Sequence, residues 1–230
     1  MEKTCGVVPA FDAAETIGNV VDDLRGRLQV PVIVVDDGSR DATGDIARAR
    51  GAILVRHTTN RGKGAAIRSG LVEAARLGFD VIVTADADGQ HPGTSARSVL
   101  DGSDDRRALV LGVRDLVHDG APKSNRVGNG VSNFFLSVFA RRPLRDTQCG
   151  LRRYPVAETL ALGVHANGYA FEAEVVLRAI AAGLPIVEVP VRVYYPPANL
   201  RRSHFRNVRD PARIVGVVLK TVLELRFGAS

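Results

Sequence analysis

Residues 81–92 read VIVTADADGQHP, a β-branched apolar run that stops abruptly at two aspartates one residue apart. A run of that length, bounded by turn residues, reads as a strand buried on both faces, the pattern of a parallel sheet. Runs at 5–9, 31–35, 52–56 and 108–113 have the same character. Between them Ile17, Val20, Val21, Leu24 and Leu28 recur at helical spacing, and residues 42–50 and 64–77 also read as helices. Strands alternating with helices predict an α/β chain, with a mostly parallel sheet flanked by helices. Ligands of such sheets bind beyond the carboxyl ends of strands. Those ends are polar here: Phe11-Asp12, Asp36-Asp37-Gly38-Ser39 and Asp86-Ala87-Asp88.

The pattern changes after residue 115. Residues 116–124 read as a polar loop, and 125–140 as a helix that is apolar nearly all round through Phe134, Phe135, Leu136, Val138 and Phe139. A further helix is predicted over 169–182, a strand over 185–193 and a Pro- and Arg-rich loop over 194–207. Residues 211–227 close as a helix with Pro211 in its first turn. No repeat or low-complexity linker interrupts the chain. It therefore reads as one domain, 1–230, with a C-terminal helical elaboration.

Composition narrows the partners. The 230 residues, 45% of them apolar, suffice for a full core. The net charge of +6 suits anionic ligands. With 5% aromatic residues and no Trp there is no stacking platform for single strands, so nucleic acid is not an expected partner. Cys5 and Cys149 form no CxxC or zinc pattern and suit a reducing cytoplasm. No signal-peptide core follows Met1, and no apolar stretch approaches a spanning length. The expectation is a cytoplasmic protein with no transmembrane segment.

Two carboxylates this close at a strand end repel unless a cation lies between them. Hard oxygen donors suit Mg²⁺ or Mn²⁺, and Mg²⁺ commonly links such carboxylates to substrate phosphates. Asp86 and Asp88 therefore read as a metal site that holds a diphosphate. Asp37 ends another strand, where a carboxylate accepts from a base N–H or a ribose hydroxyl. Lys63 lies between two glycines at a helix start, where backbone N–H groups favour anions. The G-K-[ST] ending of a Walker A loop is missing, and the plain alternative is a solvated lysine. Arg68 follows on the same helix toward the same cleft. Arg114, Arg126, Arg201, Arg202 and Arg206 offer planar forks matched to phosphate oxygens.

In order, VPAFD at 8–12, DDGS at 36–39, NRGKG at 60–64, DADGQHP at 86–92 and RDTQCGLRRY at 145–154 resemble an inverting family 2 glycosyltransferase of the Rossmann-like GT-A fold. Within that family the chain is most similar to dolichyl- or polyprenyl-phosphate sugar synthases, over residues 4–210. The resemblance implies that Pro9, Ala10, Asp12 and Asp37 surround the base and ribose of the donor. It implies a metal set of Asp86, Asp88 and Gln90, with Asp88 the firmest ligand and His91 structural. It places a late loop with Arg202 and Ser203 over the active site, and the segment holding Glu174 near the acceptor. Asp88, Arg114, Arg126 and Arg202 are the expected catalytic set; Lys63, Arg68, Asp86, Glu174 and Ser203 join the substrate contacts. Ala13-Ala14 departs from the family pattern, in which acidic residues often follow.

The expected reaction moves a sugar from a UDP- or GDP-sugar to a polyprenyl phosphate at the cytoplasmic membrane face. Transfer to a hydroxyl needs a base. A monophosphate is already largely ionised, with a second pKa of about 6. No carboxylate stands out as a dedicated base, although Glu174 or Asp146 would serve a hydroxyl acceptor. The helices at 125–140 and 210–227 pair apolar bulk with basic residues, which suits a membrane surface. Core packing, a homodimer seam or a membrane-protein partner are alternatives for those faces. Two other functions stay open: a family 2 enzyme acting on a saccharide or other hydroxyl, and a nucleotide-binding module without turnover. The intact Asp pair argues against the second. A sugar-1-phosphate nucleotidyltransferase would carry an N-terminal Gly-rich basic loop, which Val8-Pro9-Ala10-Phe11 does not resemble.

Overall fold

A computed structural model describes residues 2–121, 123–195 and 209–227. Seven strands, β1 (Thr4–Ala10), β2 (Val32–Asp36), β3 (Ile53–Arg56), β4 (Val81–Thr84), β5 (Leu109–Arg114), β6 (Arg152–Pro155) and β7 (Ile186–Val191), form one sheet. Its order is β3-β2-β1-β4-β6-β5-β7. All neighbours are parallel except the two pairs made by β6, which runs antiparallel to β4 and β5. The helices are α1 (Ile17–Leu28), α2 (Thr43–Ala49), α3 (Lys63–Arg76), α4 (Gly93–Leu100), α5 (Lys123–Ala140), α6 (Val156–Ala161), α7 (Phe171–Ala181) and α8 (Arg209–Phe227). A 3-10 turn at Gly168–Ala170 leads into α7.

Successive strand residues face opposite sides of the sheet. Val7 and Ile33 join one core, beneath α3, α5, α7 and α8; Val8 and Val34 join the other, beneath α1, α2 and α4. Helices therefore cover both faces, as the unbroken apolar strands required. Most expected elements stand within a residue or two of their predicted ends. The predicted loop at 116–124 is cut short, because α5 begins at Lys123. Much of the predicted loop at 194–207 lies outside the described residues.

Strand β6 and helices α4 and α6 were not expected. The sequence of β6 is RRYP, with no apolar run to announce it. Its side chains explain why it is buried. Arg152 donates from Nε to Cys149 O (2.8 Å), from Nη1 to Glu172 O (2.9 Å) and from Nη2 to Thr147 O (2.7 Å). Arg153 donates to Ser103 O at 2.7 Å. Buried backbone carbonyls need donors, and these guanidinium groups supply them.

The apolar helix α5 divides its surface. Leu136 is fully buried, and Phe135 and Phe139 pack against the core, whereas Phe134 and Val138 are 65% and 59% exposed. Helix α8 divides likewise: Ile214, Val218 and Val222 face inward, and Leu219, Leu223 and Phe227 outward. At the other end of the sheet order, β7 pairs only with β5 and carries an exposed Pro190 opposite Val113.

Replacing Arg152 with Met keeps the bulk and removes the donors to all three carbonyls. A charged hydrogen bond contributes about 1.5–3 kcal/mol, so Arg152→Met should destabilise the fold by about 3 kcal/mol or more. Urea unfolding followed by circular dichroism measures this. A loss below about 1 kcal/mol would show that the arginine does not hold the strand.

Candidate active site

From β1 the chain steps outward to β2 and β3, then α3 carries it back to β4 on the other side of β1. The loops after β1 and β4 run side by side over the cleft at the carboxyl ends of the strands, where Thr16 Oγ1 donates to Ala87 O at 2.6 Å. Asp86 and Asp88 follow β4 directly into it.

Asp86 does not stand alone. Lys63, the first residue of α3, places Nζ 2.6 Å from Asp86 Oδ1 and 2.8 Å from Glu172 Oε1 in the first turn of α7. The Lys63 side chain is 14% exposed, so the solvated reading of this lysine is wrong. Its ammonium also lies 5.6 Å from the centroid of the Tyr169 ring. Burial acts against the lysine charge, but Asp86 and then Glu172 outweigh it and hold the group well above the usual lysine range. Burial likewise opposes the Asp86 charge, and Lys63, then His91, overcome it and keep that carboxyl below its usual range.

The loop before β6 forms the floor. Thr84 donates from Oγ1 to Gly150 O at 2.7 Å, which seats Gly150 beside Asp86. A methyl group at Gly150 would lie 2.6 Å from both Asp86 carboxylate oxygens and 2.7 Å from Lys63 Nζ. Earlier in the same loop, Asp146 is fully buried and receives a two-pronged bond from Arg114, at 2.7 Å from Nε and 3.0 Å from Nη2. Burial works against its charge, but Arg114 prevails and keeps the Asp146 carboxyl low.

Asp88 is the outer carboxylate. Much of the residue faces solvent, yet its carboxyl sits in the crowded mouth of the cleft. Loss of water, then the charge of Asp86, push it up to about 6. Gln90 donates its backbone N–H to Asp88 at 3.0 Å and accepts from Tyr194 N at 2.8 Å, pinning the turn. His91 stands closer to the charges than a purely structural role suggested. Its Nδ1 is buried without a hydrogen-bond partner among the described residues. Burial lowers the ring to about 4, against the pull of Asp86.

Among the described residues, no three His, Cys, Asp or Glu side chains are gathered to hold a metal unaided. Two carboxylates completed by diphosphate oxygens are, however, a usual Mg²⁺ arrangement. Asp86 and Asp88, close enough for the charge of one to raise the other, fit the two-carboxylate part of such a shell.

At the end of β2 the two aspartates divide their work. Asp36 receives Ser39 N and Arg56 Nε, both at 2.9 Å. Asp37, 3% exposed, receives Arg61 N at 2.9 Å and Gly62 N at 2.7 Å, and lies 2.6 Å from His57 Nδ1. His57 Nε2 reaches Ser69 Oγ at 2.9 Å. Asp37 thus orders the turn that introduces Lys63. Pro9 and Ala10 close β1, and Ala10 O accepts Asp37 N at 2.8 Å. Asp12 adopts a left-handed φ of 47°, which aspartate tolerates, and accepts Arg40 N at 2.8 Å. These bonds tie the loop after β1 to the loop after β2.

The remaining expected residues scatter. Arg68 turns from Asp86 to Ala166 O (2.6 Å) and Asn167 Oδ1. Glu174 accepts from His165 N, Ala166 N and Arg178 Nε, so it braces that same loop. Arg126 is half-buried in α5. Arg202 and Ser203 lie outside the described residues. Sequence reasoning singled out Glu174 and passed over Glu172. Residues two apart on a helix do not share a face, so only one of the pair can meet Lys63. His57 and Gly150 were also missed, since neither shows its partner in the linear sequence.

A family model described as Glycosyl transferase family 2 matches residues 5–154. The chain belongs to this family. Polyprenol monophosphomannose synthase of Mycolicibacterium smegmatis is 30% identical over 227 residues, covering 91% of this chain and 84% of its own. UDP-N-acetylglucosamine–dolichyl-phosphate N-acetylglucosaminyltransferase of Methanococcus voltae is 29% identical over 220 residues, covering 86% and 88%. The crystal structure of glucosyl-3-phosphoglycerate synthase from Mycobacterium tuberculosis with Mn²⁺, UDP-glucose and phosphoglyceric acid matches with a TM-score of 0.74 at 20% identity. That match covers 96% of this chain and 79% of the synthase, and it supports the expected GT-A fold.

For this family 2 glycosyltransferase, Gly150 gives a sharp test. Gly150→Ala must push Asp86 and Lys63 aside, because the new methyl group has nowhere else to go. The variant should lose at least about tenfold in transfer while keeping most of its thermal stability, the cost of an overpacked site being about 1–3 kcal/mol. Full turnover in Gly150→Ala would mean that the Asp86–Lys63 contact is not part of the working site.

Proposed function

We propose that this glycosyltransferase moves a sugar from a UDP- or GDP-sugar to a polyprenyl phosphate, with inversion, at the cytoplasmic face of the membrane. One observation carries the choice of acceptor. Around the cleft the buried carboxylates already have cations: Asp86 and Glu172 share Lys63, Asp146 has Arg114 and Glu174 has Arg178. A base for a hydroxyl acceptor needs a proton affinity near neutrality, and Asp86 and Asp146, held low by Lys63 and Arg114, lack it; Asp88, which its surroundings raise toward that range, is given to the metal in this reading. A lipid phosphate arrives ionised and asks for charge and orientation instead. The named activities of the mycobacterial and methanococcal relatives support the same reading.

In this reading Asp37, Asp12, Pro9 and Ala10 border the nucleoside. Asp86 and Asp88, with Gln90, would hold a Mg²⁺ or Mn²⁺ ion. Such an ion neutralises charge on a departing diphosphate. Arg114, Arg126 and Arg202 meet phosphate charge, and Ser203 accompanies them. A phosphate oxygen attacks C1 of the sugar from the side opposite the diphosphate. The new C1–O bond forms as the old one breaks, and no proton need move.

The outward stripes of α5 (Val131, Phe134, Val138) and α8 (Leu219, Leu223, Phe227) support a membrane berth for the lipid end. No helix among the described residues is long and apolar enough to cross a membrane. Surface attachment by buried apolar area is the arrangement this favours.

The decisive assay offers labelled sugar nucleotide to polyprenyl phosphate, free polyprenol and a soluble saccharide. Label is expected in a mild-acid-labile lipid phosphate; label in the saccharide would promote a hydroxyl-acceptor enzyme instead. Asp88→Asn should remain folded and lose transfer by a factor of about a hundred, since charge stabilisation of a leaving group is worth several kcal/mol.

The membrane reading has its own check. Phe134→Ser with Leu223→Ser should lower transfer to vesicle-borne polyprenyl phosphate about tenfold and leave donor hydrolysis in solution unchanged, since each buried CH₂ is worth about 0.8 kcal/mol. Equal loss in both assays would assign these side chains to the fold.

A further inference from the structure

We propose that Lys63 is the built-in counterion of the metal site. Its ammonium holds Asp86 while no divalent ion is bound, and withdraws onto Glu172 when one takes that carboxylate. The inference rests on reading Asp86 as a metal ligand.

The geometry supplies both positions of the switch. Lys63 Nζ lies between two carboxylates, 2.6 Å from Asp86 and 2.8 Å from Glu172. Glu172 is 2% exposed at its side chain, and its Oε2 has no hydrogen-bond partner among the described residues. A buried carboxylate with an unused oxygen is costly unless a cation serves it. Glu172 therefore has room for a larger share of the ammonium. The Tyr169 ring, 5.6 Å from Nζ, gives the cation a second favourable surface. Gly150, having no side chain, lets Asp86 and Nζ come together where a Cβ would otherwise stand.

The competition follows from charge. A divalent ion and an ammonium on the same carboxylate are like charges a few ångströms apart in a poorly solvated cleft, and they repel strongly. Without Lys63, Asp86, Asp88 and Glu172 would crowd one cleft with only Arg114, already bonded to Asp146, to offset them. The lysine thus stabilises the empty site and must be displaced to fill it. Glu172 acts through Lys63 and is a positioning residue. Its task is to keep the displaced cation inside the cleft.

Mn²⁺ titration followed by electron paramagnetic resonance tests this, without nucleotide and with UDP or GDP. The informative variant is Lys63→Met with Glu172→Gln. It removes one positive and one negative charge, so net charge is unchanged and both replacements are close in shape. Without nucleotide it should bind Mn²⁺ about tenfold more tightly than the wild type, because the competitor is gone. Asp86→Asn should weaken Mn²⁺ binding under every condition. Equal or weaker Mn²⁺ binding by the double variant, with Asp86→Asn still impaired, would overturn the counterion role and leave the metal site standing. Unchanged Mn²⁺ binding in Asp86→Asn would instead overturn the metal reading itself. Crystals of the unaltered protein grown with and without Mn²⁺ give a readout independent of the variant's folding. Lys63 Nζ should leave Asp86 and stay on Glu172 in the Mn²⁺ form. Contact with Asp86 retained beside bound Mn²⁺ would refute the exchange.

Discussion

The cleft depends on one reversed strand. Because β6 runs against β4 and β5, it begins where they end. The residues that lead into it therefore arrive at the carboxyl ends of its neighbours. That places Gly150 beside Asp86 and Asp146 beside Arg114, from a single short loop. A parallel strand in the same slot would deliver its preceding loop to the far end of the sheet. Arg152 then locks the arrangement, joining the loop carbonyls of Thr147 and Cys149 to the backbone of Glu172. The floor, the back wall and the first turn of α7 are one hydrogen-bonded unit.

Charge inside this unit is matched almost residue by residue. Lys63 and Arg114 face the cleft carboxylates, while Arg152 and Arg153 serve backbone carbonyls. Part of the basic surplus in the composition is thus spent in the interior and is no attraction for anions at the surface. Asp88 is the exception, a carboxylate raised by its surroundings at the mouth of the site. Local charge strain of this sort is common where a ligand is meant to complete the balance.

The sheet and most of its helices were legible because burial on two faces leaves unbroken β-branched runs, and helices leave a 3.6-residue period. The aspartates at strand ends were legible for the same reason, since the end of each run marks the rim of the sheet. Strand β6 was not, because its burial rests on guanidinium-to-carbonyl bonds and not on apolar side chains. Lys63 was singled out as an anion-binding residue, but its carboxylate partners were hidden, because they come from the loop after β4 and from α7. The choice between Glu172 and Glu174 was undecidable in principle. It turns on which face of α7 looks into the cleft, and that is set by how the helix packs. His57 was invisible as the partner of Asp37 for a similar reason: the contact joins the residue after β2 to the residue after β3.

The far edge of the sheet has a consequence for how copies of this protein meet. Strand β7 is the outermost strand beyond β5, and its exposed Pro190 lacks the amide hydrogen that a further strand would need. Edges broken in this way resist growth of one sheet into another. Self-association through that rim is therefore disfavoured, and the outward apolar side chains of α5 and α8 offer a route that needs no sheet edge. Crowding this protein in solution and spreading it on a bilayer would then compete for the same side chains.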